Sequence, residues 1–339
     1  MTTTTAIMGG EEQRMMMAGP FLDGQYDEVK STVNHRPEDK TGLTTVIILV
    51  DTPLMNDQYC SVPTGLGIAV GDQVRIEYAS RVALYTVRWI TANHVVRLNG
   101  KNRLGIPSSH VTATLQGPVV TCVRRISDVQ AKAESEIVER LLDYHPTNEG
   151  FIIIAPHGGD IDLKTDNQAE KVHAAIEGST LWMCKGYWKG GGAFRQWHVT
   201  SNDISPSSFP LLKSLVESNR KFVRCVAFHG MAEGGVLIGG LGPMHVKLAL
   251  QKAIVAHIAD ETVPVRLATW QDCCNGLSSR NIVNWMTKKG LGGIQIEQDR
   301  RVRSRYWRAV ADAVIEVFEA EFSRPVDGHE EFVSGLFDD

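Results

Sequence analysis

Residues 151–178 read FIIIAPHGGDIDLKTDNQAEKVHAAIEG, and the fold follows from how this stretch changes texture. Phe151 to Ala155 is a short apolar run. Pro156-His157-Gly158-Gly159 then breaks it, and no regular element is expected to continue there. Asp160 and Asp162 follow, and Thr165-Asp166 leads into a helical pattern over 166–177, with Thr165 and Gln168 at capping-box spacing. Apolar run, glycine turn and helix start predict a buried strand that delivers a histidine and carboxylates to the carboxyl edge of a sheet, where open α/β sheets place their chemistry.

Outward from this stretch, strands and helices alternate. Further strands are predicted at 181–185, 222–228, 236–239, 264–268 and 293–297, and helices at 208–219, 244–258, 279–288 and 304–322. Upstream, Ser127-Asp128-Val129-Gln130 starts a helical pattern that runs to about Tyr144, with Ile137, Val138, Leu141 and Leu142 on one side. Such alternation means a mixed or mainly parallel sheet with helices on both faces. Between 44 and about 122 no helical period occurs. Thr45–Val50, Gln73–Tyr78, Ala83–Ile90, His94–Leu98, Val111–Leu115 and Val119–Val123 read as short strands, with a turn at Asn99-Gly100. They suggest a small antiparallel barrel or sandwich. The fold class is therefore α/β, a mixed sheet flanked by helices, preceded by a small all-β barrel-like domain. The expected division is a flexible lead-in at 1–43, the β domain at 44–123, the α/β domain at 124–324 and an acidic tail at 325–339.

Composition narrows the function. The 339 residues are 43 % hydrophobic and 22 % charged, with a formal net charge of −4. No global basic field recruits nucleic acid or a membrane surface. No apolar run approaches the roughly 18 residues that span a bilayer. The first twenty residues lack the basic start and apolar core of a signal peptide, so the cytoplasm is the expected compartment, with release by lysis if the chain is phage-derived. Cys60, Cys122, Cys184, Cys225, Cys273 and Cys274 are accordingly expected as reduced thiols, mostly small core residues.

Three strand ends carry chemistry. His157 and Asp162 share one turn, and imidazole with carboxylate is an acceptable pair of zinc ligands. On spacing alone, a turn histidine beside a solvated aspartate is the plainer reading. Lys221 to Phe228 is a second buried strand ending in His229-Gly230, which repeats the pattern of His157-Gly158 and makes His229 a candidate third ligand, its plainer reading being a lone strand-end histidine. At the end of a third strand, alternation puts Ile294 and Ile296 on one face and Gln295 and Glu297 on the other. Glu297 is a candidate proton carrier for hydrolysis, its plainer alternative being a solvated edge charge. His198 precedes a polar turn at 200–203 that could line a cleft, and the Arg300–Arg305 run reads as a solvated helix start from which one arginine, if it reaches the cleft, would hold a substrate carboxylate.

Taken together, these blocks resemble the phage-type poly-γ-glutamate hydrolases, zinc amidohydrolases of carboxypeptidase-A-like fold, over about 127–322. The resemblance rests on His157-Gly158-Gly159-Asp160-Ile161-Asp162 with Thr165, His198-Val199-Thr200-Ser201, His229-Gly230 with Ile238-Gly239-Gly240, Asn281-Ile282-Val283-Asn284, and Gly293-Ile294-Gln295-Ile296-Glu297 with Arg303. It implies Zn²⁺ on His157, Asp162 and His229, Glu297 as general base and acid, and Arg303 or Arg280 beside the oxyanion. His198, Arg280 and Asn281 are expected at the substrate, an anionic γ-glutamyl chain. Two departures stand out: Asp162 where the family has Glu, and Lys164 where it usually has Gly. The β domain lies outside the family pattern and is expected to serve an unknown partner, with the oligomeric state open. Two other readings remain: a zinc deacylase or carboxypeptidase on small N-acyl or γ-glutamyl amino acids, and a metal-free binding protein on a hydrolase fold.

Overall fold

The computed structural model describes residues 43–323 apart from 51–55, 100–102, 108–109, 123–124, 144–148 and 233. The tails expected at either end lie outside these residues, except Leu43, which opens the first strand; Gly100 of the expected turn also lies outside them.

Six strands close a barrel: β1 (Leu43–Val50), β2 (Tyr59–Pro63), β3 (Gln73–Tyr78), β4 (Arg81–Thr91), β5 (Val95–Leu98) and β6 (Val111–Gln116), in the order β1-β5-β2-β4-β3-β6. Closure fills the interior with Ile48, Val62, Ile76, Tyr85, Val96 and Leu115. The barrel is not antiparallel throughout, as the close strand spacing suggested: β1 pairs with β5, and β2 with β4, in parallel. Those pairs join strands distant in sequence, which hairpin reasoning cannot see. Val119–Val123 is no strand either. Its described part is an irregular connector, with Val120 N–H donating to the Ser208 carbonyl and Cys122 N–H to the Ile137 carbonyl.

The second half follows as α1 (Asp128–Glu134), β7 (Ile137–Leu142), β8 (Phe151–Gly159), α2 (Thr165–Ala175), β9 (Thr180–Gly186), α3 (Ala193–Trp197), α4 (Pro210–Glu217), β10 (Arg224–Gly230), β11 (Val236–Gly239), α5 (Met244–Ile258), β12 (Val265–Leu267), α6 (Ile282–Trp285), β13 (Gly293–Gln298), α7 (Arg300–Arg305) and α8 (Trp307–Ser323). The strands form one mixed sheet, β12-β11-β13-β10-β8-β9-β7. The central four, β13, β10, β8 and β9, are parallel. Alternation along β8 sends Phe151, Ile153 and Ala155 to a core shared with α2, α5 and α8. Ile152 and Ile154 go to the other face, with α3, α4 and α6.

The helix expected to reach about Tyr144 stops at Glu134, because Ser135 takes a left-handed φ of 57° and Ile137–Leu142 becomes an edge strand antiparallel to β9. Ile137 and Leu141 pack on one sheet face, and Leu142 on the other. A strand apolar on both sides shows no period of two, and its i, i+1, i+4, i+5 pattern mimics a helix. The helix expected over 279–288 shrinks to four residues, and the last helical stretch breaks at Tyr306 into α7 and α8.

Barrel and sheet are joined by a common core and by buried polar pairs. Val82 and Leu84 of β4 pack with Trp182, Trp197 and Phe209. Arg75 of β3 donates from Nη1 and Nη2 to the Glu136 carboxylate at 2.7 and 3.1 Å, with both side chains buried. Removing one partner of such a pair leaves the other charge dehydrated and uncompensated. Arg75→Met is therefore expected to lower the unfolding free energy by about 3–5 kcal/mol. The double variant R75M/E136L should regain most of that loss in urea titration; an equal loss in both would contradict the pairing.

All six cysteines are free thiols, Cys60, Cys184 and Cys225 buried and the others half-buried. Burial pushes the Cys60 and Cys225 thiols well above their ordinary value, which disfavours the reactive thiolate. Native protein should present only Cys122, Cys273 and Cys274 to a thiol reagent such as DTNB, and a rapid reaction of Cys60 would refute the closed barrel interior.

Candidate metal centre

Contrary to the sequence expectation, β8 does not end at Ala155. It runs through Pro156-His157-Gly158-Gly159 by shifting register against β9 between Ala155 and Gly158. Glycine makes this continuation feasible. Gly159 sits at φ 70°, and a Cβ there would lie 2.8 Å from the Gly186 carbonyl oxygen. The irregularity turns His157 into the sheet's carboxyl end. The chain then closes on itself, Asp162 N–H donating to the His157 carbonyl at 2.8 Å, before α2 begins. Lys164, which precedes α2, is held at φ 77°, the left-handed conformation that glycine adopts without strain.

His157, Asp162 and His229 converge there. Their ligand atoms lie within 4.8 Å of one another, and all three side chains are buried. The two Nδ1 atoms are 3.1 Å apart, and Asp162 Oδ2 is 3.4 Å from His157 Nδ1. His157 Nε2 faces the Val199 carbonyl at 2.7 Å. A carbonyl only accepts, so this nitrogen carries the proton and leaves the Nδ1 lone pair toward the cluster. Burial, with His157 alongside, pushes His229 down to about 3, so its ring is neutral and able to ligate. Burial also pushes the Asp162 carboxyl up, but the groups facing it, the Arg303 guanidinium among them, outweigh this and hold it below the usual value. Two neutral imidazoles and a carboxylate form an N₂O donor set, and tetrahedral Zn²⁺ bonds of 2.0–2.2 Å need donor separations of about 3.3 Å. The residues present fit that ion.

Glu297 lies beside them, in register with His229 across the β10–β13 pair. It is buried, and its Oε1 accepts from Gln295 Nε2 at 2.9 Å. Gln295 Oε1 in turn accepts from Asn281 Nδ2 at 2.8 Å, and Asn281 Oδ1 caps α6 by accepting from Val283 N–H. Asn281, expected at the substrate, thus anchors a relay that aims Glu297. Arg303 is also buried. Its Nε donates to the Gln298 carbonyl at 3.1 Å and its Nη1 to the Leu163 carbonyl at 3.3 Å, behind the Asp162 turn. These bonds brace the ligand loop; the sequence expectation set Arg303 or Arg280 beside the oxyanion. Arg280 is mostly exposed and pairs with Asp203 at 2.8 Å. The His198 ring stacks on Phe194 at 4.2 Å and meets the His157 ring, tilted by 42°, at 4.3 Å, and burial pushes it well below its ordinary value.

Two functional groups were missed from the sequence. Gln295 was legible, since it shares Glu297's face at i−2. The Val199 carbonyl was not, because a main-chain acceptor leaves no residue-type signal.

A mixed α/β sheet carrying this donor set and a buried, non-ligand glutamate at its carboxyl end defines a metallohydrolase. The sequence profile of the poly-gamma-glutamate hydrolase family matches residues 128–323, more than half of the chain, and the chain belongs to that family. Among solved structures it is similar to a bacteriophage poly-gamma-glutamate hydrolase (22 % identity over 55 % of this chain and 89 % of that one, TM-score 0.41). It is also similar to zinc-free YNDL (19 %, 55 % and 91 %, TM-score 0.43) and to a metallo-carboxypeptidase from Pseudomonas aeruginosa (11 %, 74 % and 81 %, TM-score 0.35). No curated protein matches the chain. Among the described residues no helix is long and apolar enough to cross a membrane.

Gly230 carries the tightest steric demand of the centre. Its N–H donates to Asp162 Oδ2 at 3.0 Å, and a Cβ there would lie 2.6 Å from both Asp162 Oδ1 and Arg303 Cζ. Gly230→Ala should fold yet bind zinc about 10–100-fold more weakly in calorimetric titration, the range seen when a ligand's support is removed; unchanged affinity would show that Asp162 is no ligand.

Proposed function

We propose that the chain hydrolyses amide bonds of poly-γ-glutamate, with Zn²⁺ held by His157, Asp162 and His229 and with Glu297 as the proton carrier. The observation that supports this most is the convergence of the three donor side chains beside a buried carboxylate that an amide relay aims from behind. A bound Zn²⁺ supplies Lewis-acid polarisation of a carbonyl and a water of lowered pKa. Glu297 accepts the proton of the attacking water through a carboxylate oxygen. It then returns that proton to the leaving amine nitrogen as the C–N bond breaks. Gln295 fixes the rotation of the carboxylate, so Glu297 reaches both positions without reorienting. His198, neutral and stacked, walls the site beside His157. Arg280, mostly exposed beside Asp203, offers a cation to the carboxylates of an anionic chain, while Arg303 keeps Asp162 in place. Family membership supports the polymer as substrate.

One zinc per chain should be found by atomic absorption, and His229→Ala should lose it. Glu297→Gln should retain the metal while kcat on poly-γ-glutamate, followed by loss of polymer length, falls by at least about 100-fold. A metal-free wild-type chain, or full activity in E297Q, would sink the mechanism. Cleavage confined to γ-glutamyl dipeptides would sink the polymer substrate alone.

A further inference from the structure

The barrel lies outside the stretch that the family profile matches, yet its side chains grip one segment of the hydrolase half. Gln73 of β3 clasps it like a strand partner. Its Nε2 donates to the Asp203 carbonyl at 2.6 Å, and its Oε1 accepts from Ser205 N–H at 3.0 Å. Arg103 donates from Nη2 to the His198 carbonyl at 3.1 Å while its Nη1 binds the Leu84 carbonyl of β4. The third grip is on the Asp203 carboxylate, which is almost wholly enclosed. Arg88 of β4 donates to both its oxygens at 3.0 and 2.9 Å, and Tyr59 of β2 donates its hydroxyl at 3.0 Å. Arg88 also lies over the Tyr59 ring at 4.0 Å, so the two barrel groups hold each other in place.

The gripped segment, 198–205, supplies the carbonyl of Val199 that meets His157 Nε2. Its far side is tied to α6 through Ile282 N–H and the Ser201 carbonyl. Three barrel strands therefore converge, through one loop, on the atom that selects the tautomer of His157. We infer that the barrel is a built-in positioning element of the active site, with Arg88 as its principal residue. Arg88 fixes Asp203 from the barrel side, opposite Arg280 and Thr200 of the hydrolase half; the 198–205 segment follows, and Val199 keeps the His157 proton on Nε2 and the Nδ1 lone pair on the metal point. The inference rests on His157 being a metal ligand; Arg88 itself touches neither metal nor substrate.

The test uses the full chain with Arg88→Ala, Arg88→Lys and, as a control that loosens the barrel elsewhere, Ile48→Ala in the barrel interior on β1. Imidazole ¹⁵N–¹H multiple-bond spectra of metal-free protein report the His157 tautomer. The expected result is the single Nε2–H form in wild type and I48A, a mixture of tautomers in R88A, and recovery toward the single form in R88K. Zinc affinity, read by competition with a chelator, should fall about 10–100-fold in R88A. In I48A it should stay within about twofold, as for a position that does not couple to the site. If R88A does not fold, Tyr59→Phe removes one donor from the same carboxylate and should still mix the tautomers. A pure Nε2–H form in folded R88A or Y59F, or an equal zinc loss in I48A, overturns the inference. Because the tautomer is read without metal, a wild-type chain that takes up no zinc would sink the hydrolase reading separately.

Discussion

A buried imidazole offers one lone pair, and at His157 a single main-chain carbonyl decides which nitrogen presents it. If Nε2 lost its acceptor, the proton would be free to move to Nδ1, and a hydrogen would point at the place where His229 Nδ1 and Asp162 Oδ2 converge. The rest of the chain is arranged so that this does not happen. Strand β8 carries His157 into the sheet's end, the 198–205 segment brings Val199 up to it, and the barrel holds that segment from outside. Thus a hydrogen bond of ordinary strength becomes decisive because the groups around it are buried and have no water to turn to.

The same dehydration explains how the carboxylates are held. Asp162 and Glu297 are both out of solvent, where an isolated charge is costly. Each is compensated differently. Asp162 has the Gly230 N–H and the Arg303 guanidinium braced behind its turn. Glu297 receives the Gln295 amide, which Asn281 fixes in turn. The first arrangement favours a fixed anion suited to ligation. The second fixes the rotation of a carboxylate through a chain of amides.

Much of this was legible in sequence, for identifiable reasons. The 151–178 stretch announces its strand and helix because its apolar run and its periodic segment are separated by glycine. The His-Gly strand ends at 157 and 229, and the alternation at 293–297, are local patterns that survive into the structure. What escaped is non-local or two-faced. Strand β7 looks helical because the barrel side and the helix side of the sheet both want it apolar. The parallel pairs of the barrel join residues far apart in sequence, such as Ile47 with Val95 and Tyr59 with Thr86. Arg303 and Asn281 were seen as residues of the site, but their roles depend on which atoms their side chains reach, and spacing does not encode that.

Strand edges also bear on how the chain behaves toward its own copies. Closure leaves the barrel with no unpaired edge, and one edge of the sheet, β12, is only three residues long. The other edge, β7, has its Ile137 carbonyl taken by Cys122 N–H of the connector, and Arg140 reaches back from it to the Ile126 carbonyl. An intruding strand would find part of this edge already engaged, the Ile137 carbonyl by the connector and the Glu139 carbonyl by Arg140, one device by which sheet proteins blunt edge-to-edge pairing. A connector that reads as an unremarkable join between two halves is thus also a cover against self-templating.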